Sequence, residues 1–321
     1  MQSFEQLSAL FAARFNTGHF PVTPESLYGP NDYFLSIGGK RVRPVLCLMG
    51  NELFGEIIPD AWQVGTAIEL FHNFTLIHDD IMDKAPLRRG METVHTRYNE
   101  STAILAGDVM MVKAYEYLNK VQTRYIHGVL DIFNQTAREV CEGQQLDMDF
   151  EQVKEVEFDT YLEMIGLKTS VLLAASLRLG ALLGGAGEGN QQLIYAFGKK
   201  LGLAFQVQDD YLDAFGDPEK FGKQVGGDIL SNKKTFLLIH ALKTVQGSQR
   251  EKLDQLIAGN APDKVEQVLA LYRESEVDQW AVRLKDQFLD EALRHLDDIA
   301  VMKVRKEPLK ALAKFLVQRD Y

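Results

Sequence analysis

An all-α fold is what this sequence predicts, and three observations carry the expectation. Apolar residues recur at helical spacing over most of the 321 residues, no convincing series of alternating strands interrupts them, and two aspartate clusters of one design lie 130 residues apart within apolar helical patterns. The clusters are Asp79-Asp80-Ile81-Met82-Asp83 and Asp209-Asp210-Tyr211-Leu212-Asp213, each reading DDxxD.

The periodicity places helices over about residues 2–15, 24–36, 42–53, 60–83, 101–120, 125–149, 158–185, 190–214, 233–245, 249–258, 263–273 and 277–316, the last broken near Pro308. The third starts close to Pro44, and proline suits a first helical turn because its missing N–H is not needed there. The fourth carries Ala67 to Ile77 into the first acidic cluster, and the eighth carries Leu201 to Gln208 into the second. Both segments are amphipathic or buried, so their carboxylates would face a cavity rather than open water. The most apolar run, Val171 to Ala186, is interrupted by Arg178 and several glycines. It is too short to span a bilayer and reads as a core helix, so no transmembrane segment is expected.

Composition bounds the rest. A hydrophobic content of 46% can fill a large core, and no Pro/Gly/Ser-rich linker divides the chain, so residues 1–321 read as a single domain. The formal charge of −10 argues against general binding of nucleic acid, whose affinity comes from a surplus of Lys and Arg. Cys47 and Cys141 have no partner spacing and read as buried thiols in a reducing cytosol. Met1 to Glu5 lacks the basic start and long apolar stretch of a signal peptide, so the expected location is cytoplasmic.

At about 100° per residue, Asp79 and Asp83 fall roughly 40° apart on one helix face, as do Asp209 and Asp213. Like carboxylates at this spacing repel unless a cation sits between them. Mg²⁺ takes one or two carboxylates and completes its octahedron with substrate phosphates, so the pairing suggests a site for a phosphorylated substrate. An Asp-rich segment is more often a solvated face or a helix cap; two copies in apolar surroundings make chance a poor explanation.

The loops supply the matching cations. Lys40, Arg41 and Arg43 follow Gly38-Gly39, where glycine lets backbone N–H groups approach an anion. Arg88-Arg89-Gly90 begins five residues past Asp83; Lys168-Thr169 and the pair Lys223 and Lys233 form further groups. This distribution suits a diphosphate held by Mg²⁺ on one side and by ammonium or guanidinium groups on the other. His72 lies roughly 10 Å along the helix from Asp79, too far to share one Mg²⁺, which points to a second anion site.

These motifs closely resemble the trans-isoprenyl diphosphate synthases, the polyprenyl synthetase family. The match runs through Gly38-Gly39-Lys40-Arg41-Val42-Arg43-Pro44, His78 to Asp83 with Arg88-Arg89-Gly90, Lys168-Thr169, Phe205 to Asp210, and Gly222-Lys223 through Gly227-Asp228 to Lys233. The resemblance implies an all-α isoprenoid-synthase bundle around a central deep cavity, a homodimer, and no nucleotide cofactor. It implies that the aspartates bind about three Mg²⁺ ions around an allylic diphosphate. Asp79, Asp83 and Asp209 would then be direct ligands, and Asp80, Asp210 and Asp213 direct or water-mediated ones. It assigns Arg88, Lys168, Thr169, Gln206, Lys223 and Lys233 to the allylic substrate, and Gly39, Lys40, Arg43, His72 and Arg89 to isopentenyl diphosphate.

In that family, residues just upstream of the first motif set product length. Phe74 and Thr75 occupy those places here, and an aromatic at the first points to a short product, C20 with C15 next. The ideal wheel, however, sets Phe74 about 140° from Asp79. Two residues separate Asp80 from Asp83, where many bacterial farnesyl diphosphate synthases have four, which weakens C15. Met91-Glu92 stands where a proline is common, and Asn232 where glycine is frequent. The alternatives are a terpene cyclase, which would not need Lys40, Arg43 and the second DDxxD; a metal-dependent nucleotide pyrophosphatase; and a diphosphate-binding partner subunit without activity.

Overall fold

The computed structural model of the chain describes residues 1–15, 18–153, 155–216, 226–259 and 261–318. Helix accounts for nearly all the regular structure, as the periodicity predicts. The chain forms two compact units, one from Met1–Phe133 with Ser176–Gln192 and one from Asn134–Ala175 with Leu193–Tyr321.

The first unit contains α1 (Phe4–Phe15), α2 (Glu25–Ser36), α3 (Val42–Phe54), α4 (Pro59–Met82), α5 (Val94–Arg97) and α6 (Glu100–Leu118). Helix α4 packs on α3 and α6 and is its central element. Pro59 at its first position has φ already set for a helix, and Asp60 favours the positive end of the helix dipole while accepting from Gln122 N at 2.7 Å and Gln122 Nε2 at 2.6 Å. Ala61, Val64, Ala67, Ile68 and Phe71 are buried, and exposure returns only in the last turn, at Met82. A hydrophobic interior thus fixes the helix and delivers its acidic end to an accessible place. Glycines allow close backbone approach: a Cβ on Gly180 would overlap the Cys47 carbonyl oxygen, and one on Gly50 that of Leu177.

Between α4 and α5 the chain makes a hairpin too short for periodicity to reveal. β1 (Leu87–Arg88) pairs antiparallel with β2 (Met91–Glu92), Leu87 opposite Glu92 and Arg88 opposite Met91. Arg89 and Gly90, at φ 53° and 78°, form a two-residue turn with both centres left-handed, the type I′ geometry that matches strand twist.

The second unit takes α7 (Thr123–Gln152) from residue 134, α8 (Phe158–Ile165), α9 (Val171–Leu183) to residue 175 and α10 (Glu188–Phe215) from residue 193. It continues with α11 (Gly227–Leu230), α12 (Phe236–Thr244), α13 (Gly247–Ala258), α14 (Lys264–Glu274), α15 (Val277–Asp298) and α16 (Lys303–Gln318). α12 packs on α8 and α15, and α14 packs on α11, α13 and α15.

Four expectations change. The helix expected over 158–185 contains a π turn, Gly166–Ser170, between α8 and α9. Together these form an apolar helical run, Phe158–Leu183, of 26 residues, long enough by length and composition to cross a membrane. Because 72% of its most apolar window is buried inside the protein, it is a core helix. The last long helix breaks at Ile299, whose ψ of 132° is extended, rather than at Pro308, which lies inside α16. Lys306, buried on α16, caps the end of α15 by donating from Nζ to the Asp297 carbonyl at 2.6 Å. Finally, Cys47 is buried but Cys141 is exposed, because α7 turns that residue outward.

Candidate active site

In the first acidic motif the aspartates differ in burial. Asp80 is only 1% exposed, whereas Asp79 is half-buried and Asp83, capping the helix, is exposed. The hairpin returns Arg88 to Asp80, donating from Nε at 2.9 and 3.0 Å and from Nη2 at 2.7 Å in a bidentate fork. Burial raises the Asp80 pKa, and the Arg88 hydrogen bonds and charge oppose that rise. The middle carboxylate is thus tied to protein, leaving Asp79 and Asp83 as the accessible pair.

Four arginines surround His72. Arg43 Nη1 donates to His72 Nε2 at 3.0 Å, which assigns the imidazole proton to Nδ1. Burial, and then the charges of Arg43, Arg89, Arg88 and Arg41, hold the His72 pKa well below its ordinary value, so the ring is neutral. Burial also pushes Arg43 down to about 10, and its Nε is buried without a hydrogen-bond partner. Arg41, the left-handed N-cap of α3, pairs with Glu69, which also accepts from Asn73 Nδ2 at 3.1 Å. Arg89 donates to the Gly38 carbonyl and passes so close to Gly39 that a Cβ there would lie 2.8 Å from Nη1. Gly39, Arg43, His72 and Arg89 are therefore brought together, with Lys40 exposed beside them. A group with this surplus of guanidinium over carboxylate can take an anion with several oxygens.

The second acidic motif repeats the division. Asp210 is 6% exposed, accepting from Gln206 Nε2 at 2.9 Å and from the Tyr161 hydroxyl at 3.2 Å. Burial and the neighbouring Asp228 push its pKa up to about 7. Asp209 and Asp213 are half-buried, and Asp213 Oδ2 accepts from Asp228 N at 3.0 Å. Beneath this end of α10 lies a cavity of about 20 Å³, room for about one water, lined in part by Asp210, Asp213, Asp228, Lys233, Lys264 and Tyr272. Lys168 and Thr169 sit on the π turn, a deformation frequent at functional sites. Lys168 Nζ meets Asp147 Oδ2 at 2.6 Å, and Thr169 Oγ1 donates to Gln206 Oε1 at 3.4 Å. Gln206 thereby links Thr169 to Asp210. Lys223 lies outside the described residues.

Comparison with known proteins identifies the family. The polyprenyl synthetase family model matches residues 24–275. The chain belongs to the polyprenyl synthetase family. It is a short-chain isoprenyl diphosphate synthase, a prenyltransferase. It is 38% identical over 305 residues to a geranylgeranyl diphosphate synthase of Methanosarcina mazei, covering 94% of this chain and 92% of that protein. It is 34% identical over 317 residues to a geranylfarnesyl diphosphate synthase of Natronomonas pharaonis, covering 93% and 91%. The crystal structure of a geranylgeranyl pyrophosphate synthase superposes with a TM-score of 0.95 at 40% identity, covering 99% of each chain.

For a prenyltransferase of this family, which generally uses a divalent metal, the donor set can be tested for fit. Among the described residues no three His, Cys, Asp or Glu side chains converge into a complete protein cage. Mg²⁺ needs none, because it binds through one or two carboxylates plus substrate phosphates and water. Asp79 with Asp83, and Asp209 with Asp213, are carboxylate pairs one helical turn apart, and they fit. Sequence reasoning gave no role to Glu69, Asp147, Tyr161 or Asp228. Of these only Asp228 lay within a motif already singled out; the others are separated in sequence from the groups they hold. Phe74 is half-buried, its ring centroid 5.6 Å from Phe71 and 4.8 Å from His78, while Thr75 Oγ1 donates to the His72 carbonyl at 2.8 Å.

Proposed function

We propose that the chain condenses isopentenyl diphosphate with allylic diphosphates, using about three Mg²⁺ ions per active site, to a short all-trans product, with C20 favoured and C15 next. The observation that carries this reading is the shared design of the two DDxxD motifs, each with a buried inner carboxylate bonded to protein side chains and an outer pair less buried than it. Relatives named for C20 and C25 products support a short chain without fixing its length.

In this reading Lys40, Arg43, His72, Arg89 and the backbone at Gly39 hold isopentenyl diphosphate, while Arg88, Lys168, Thr169, Gln206, Lys223 and Lys233 serve the allylic partner. Asp79, Asp83 and Asp209 are direct metal ligands; Asp80, Asp210 and Asp213 support them directly or through water. Bound Mg²⁺ supplies Lewis-acid stabilisation of the departing diphosphate. The lysines and arginines stabilise the same developing negative charge from fixed positions. The allylic C–O bond breaks, the isopentenyl double bond attacks the allylic carbon, and loss of a proton from the adduct forms the new double bond. The released diphosphate is the base, so no histidine is required for that step. His72, neutral and donating from Nδ1, binds rather than titrates. Apolar walls of a deep cavity exclude water from the cation and accept the tail.

We further propose one catalytic domain, a cytoplasmic location and a homodimer, the last supported by Ile104, Leu105 and Val112 exposed on one helix, α6. The deciding experiment incubates purified protein with Mg²⁺, isopentenyl diphosphate and C5, C10 or C15 allylic diphosphates, and separates products by length. Elongated products that vanish in excess chelator support the reading; nucleotide hydrolysis, cyclised terpenes or no reaction would replace it.

A further inference from the structure

Lys264 breaks two local rules at once. It is the first residue of α14, where a cation opposes the helix dipole, and it is only 2% exposed, although lysine is almost never buried so fully without a partner. Its ammonium donates to Asn232 Oδ1 at 2.7 Å and to the Gly259 carbonyl at 3.3 Å. Burying a charge is unfavourable unless hydrogen bonds satisfy it, so this arrangement calls for a compensating role.

That role lies on the other side of Asn232. Helix α11 ends in a Schellman turn: Asn232 N donates to the Ile229 carbonyl at 3.2 Å and Lys233 N to the Asp228 carbonyl at 2.9 Å, with Asn232 at φ 54° in the left-handed position. Asparagine tolerates that conformation, which explains how it replaces the glycine frequent here in the family. Unlike glycine, it adds a side chain held at both ends, because Nδ2 donates to the Ile257 carbonyl at 3.0 Å while Oδ1 accepts from Lys264. The turn carrying Lys233 is thereby tied to the end of α13 and the start of α14. Lys264, Asn232, Lys233 and the carboxylates Asp210, Asp213 and Asp228 line one small cavity.

We propose that Lys264 is a positioning residue, acting through Asn232 to fix the turn that presents Lys233 to the diphosphate of the allylic substrate. The inference rests on the allylic role proposed for Lys233. Lys264→Met removes the ammonium and retains an unbranched apolar stem; Asn232→Gly retains the left-handed backbone and removes both the Oδ1 acceptor and the Nδ2 donor. A group displaced by about 1 Å can lose about 10²-fold in efficiency, so each variant should lower kcat/KM for the allylic diphosphate by about 10- to 100-fold, chiefly through KM, with the KM for isopentenyl diphosphate unchanged.

The double variant should be no worse than the poorer single one, because both remove one link. Titration calorimetry with inorganic diphosphate and Mg²⁺ should show the same loss of affinity without requiring turnover. Lowered thermal stability with unchanged allylic KM and unchanged diphosphate affinity would overturn the positioning role, as would additive effects in the double variant. Wild-type protein that binds diphosphate but makes no elongated product would instead overturn the prenyl-transfer reading, leaving the calorimetric comparison to judge Lys264. Asn232→Gly keeps the test decisive if Lys264→Met fails to fold.

Discussion

Replacing Asp210 with asparagine should make the metal-free protein more stable at pH 8 than at pH 5 relative to wild type, while impairing turnover. The Asp210 pKa is raised from 3.8 to about 7. A carboxyl raised in this way keeps a proton in the folded chain that the unfolded chain has already lost. Stability contributed by that proton is therefore present in full below about pH 4 and is lost as pH climbs toward about 7. The rise from 3.8 to about 7 corresponds to about 4 kcal/mol, of which about a third has already been lost at pH 5. The amide introduced by Asp210→Asn cannot ionise, so the gap between variant and wild type should widen by about 2 kcal/mol between pH 5 and pH 8, allowing for relaxation around the group. Hydrogen bonds altered at Gln206 and Tyr161 shift the variant by a similar amount at both pH values and cancel from that difference. For a chain of this size the widening is about 3 °C in melting temperature. Thermal unfolding of both proteins in chelator at the two pH values measures it. A gap that does not change with pH would refute the argument that burial and Asp228 hold Asp210 near neutrality.

Other outcomes follow from the same geometry. Asp79→Ala and Asp209→Ala should each leave a folded protein whose turnover falls by at least about 10²-fold, larger than the loss of a single fixed charge-stabilising donor; near-normal rates would remove these residues from the metal site. Lys40→Ala and Arg43→Ala should raise the KM for isopentenyl diphosphate, and Lys233→Ala that for the allylic substrate, each by about one to two powers of ten; the reverse pattern in steady-state kinetics would exchange the two sites. Phe74→Ala should lengthen the products resolved by chromatography. Since Phe74 is only half-buried, the loss in stability should fall below the roughly 3–5 kcal/mol of a fully buried phenylalanine, and a destabilised variant with unchanged products would assign the ring to packing alone.

Helical spacing was enough to read the helices, and the acidic clusters together with the glycine and basic motifs around them were enough to read the family, because all of these are local patterns. What escaped was decided by residues distant in the chain. Nothing in DDxxD distinguishes its second aspartate from its first. The distinction arises when the hairpin returns Arg88 to Asp80, and when Tyr161 and Gln206 meet Asp210. Pro308 reads as a break because proline removes a helical hydrogen bond, yet the chain turns at Ile299 instead, where Lys306 caps the Asp297 carbonyl. Cys141 looked like a buried thiol because cysteine usually is one, and only its place on α7 decides otherwise.

At the π turn, Gly166–Ser170, the length of the segment matters as well as the residues in it. A single residue removed from it would restore ordinary helical winding with α8 and α9 still nearly in register, and the side chains on the wide turn itself would lose their placement. Lys168 would then swing away from Asp147, and Ser170 from its close fit beside Gly202. Such a deletion changes no charge and removes no apolar side chain if it takes Gly166, so a count of residue types would score it as harmless. The functional information at this point in the chain is carried by spacing as much as by the identity of Lys168 and Thr169.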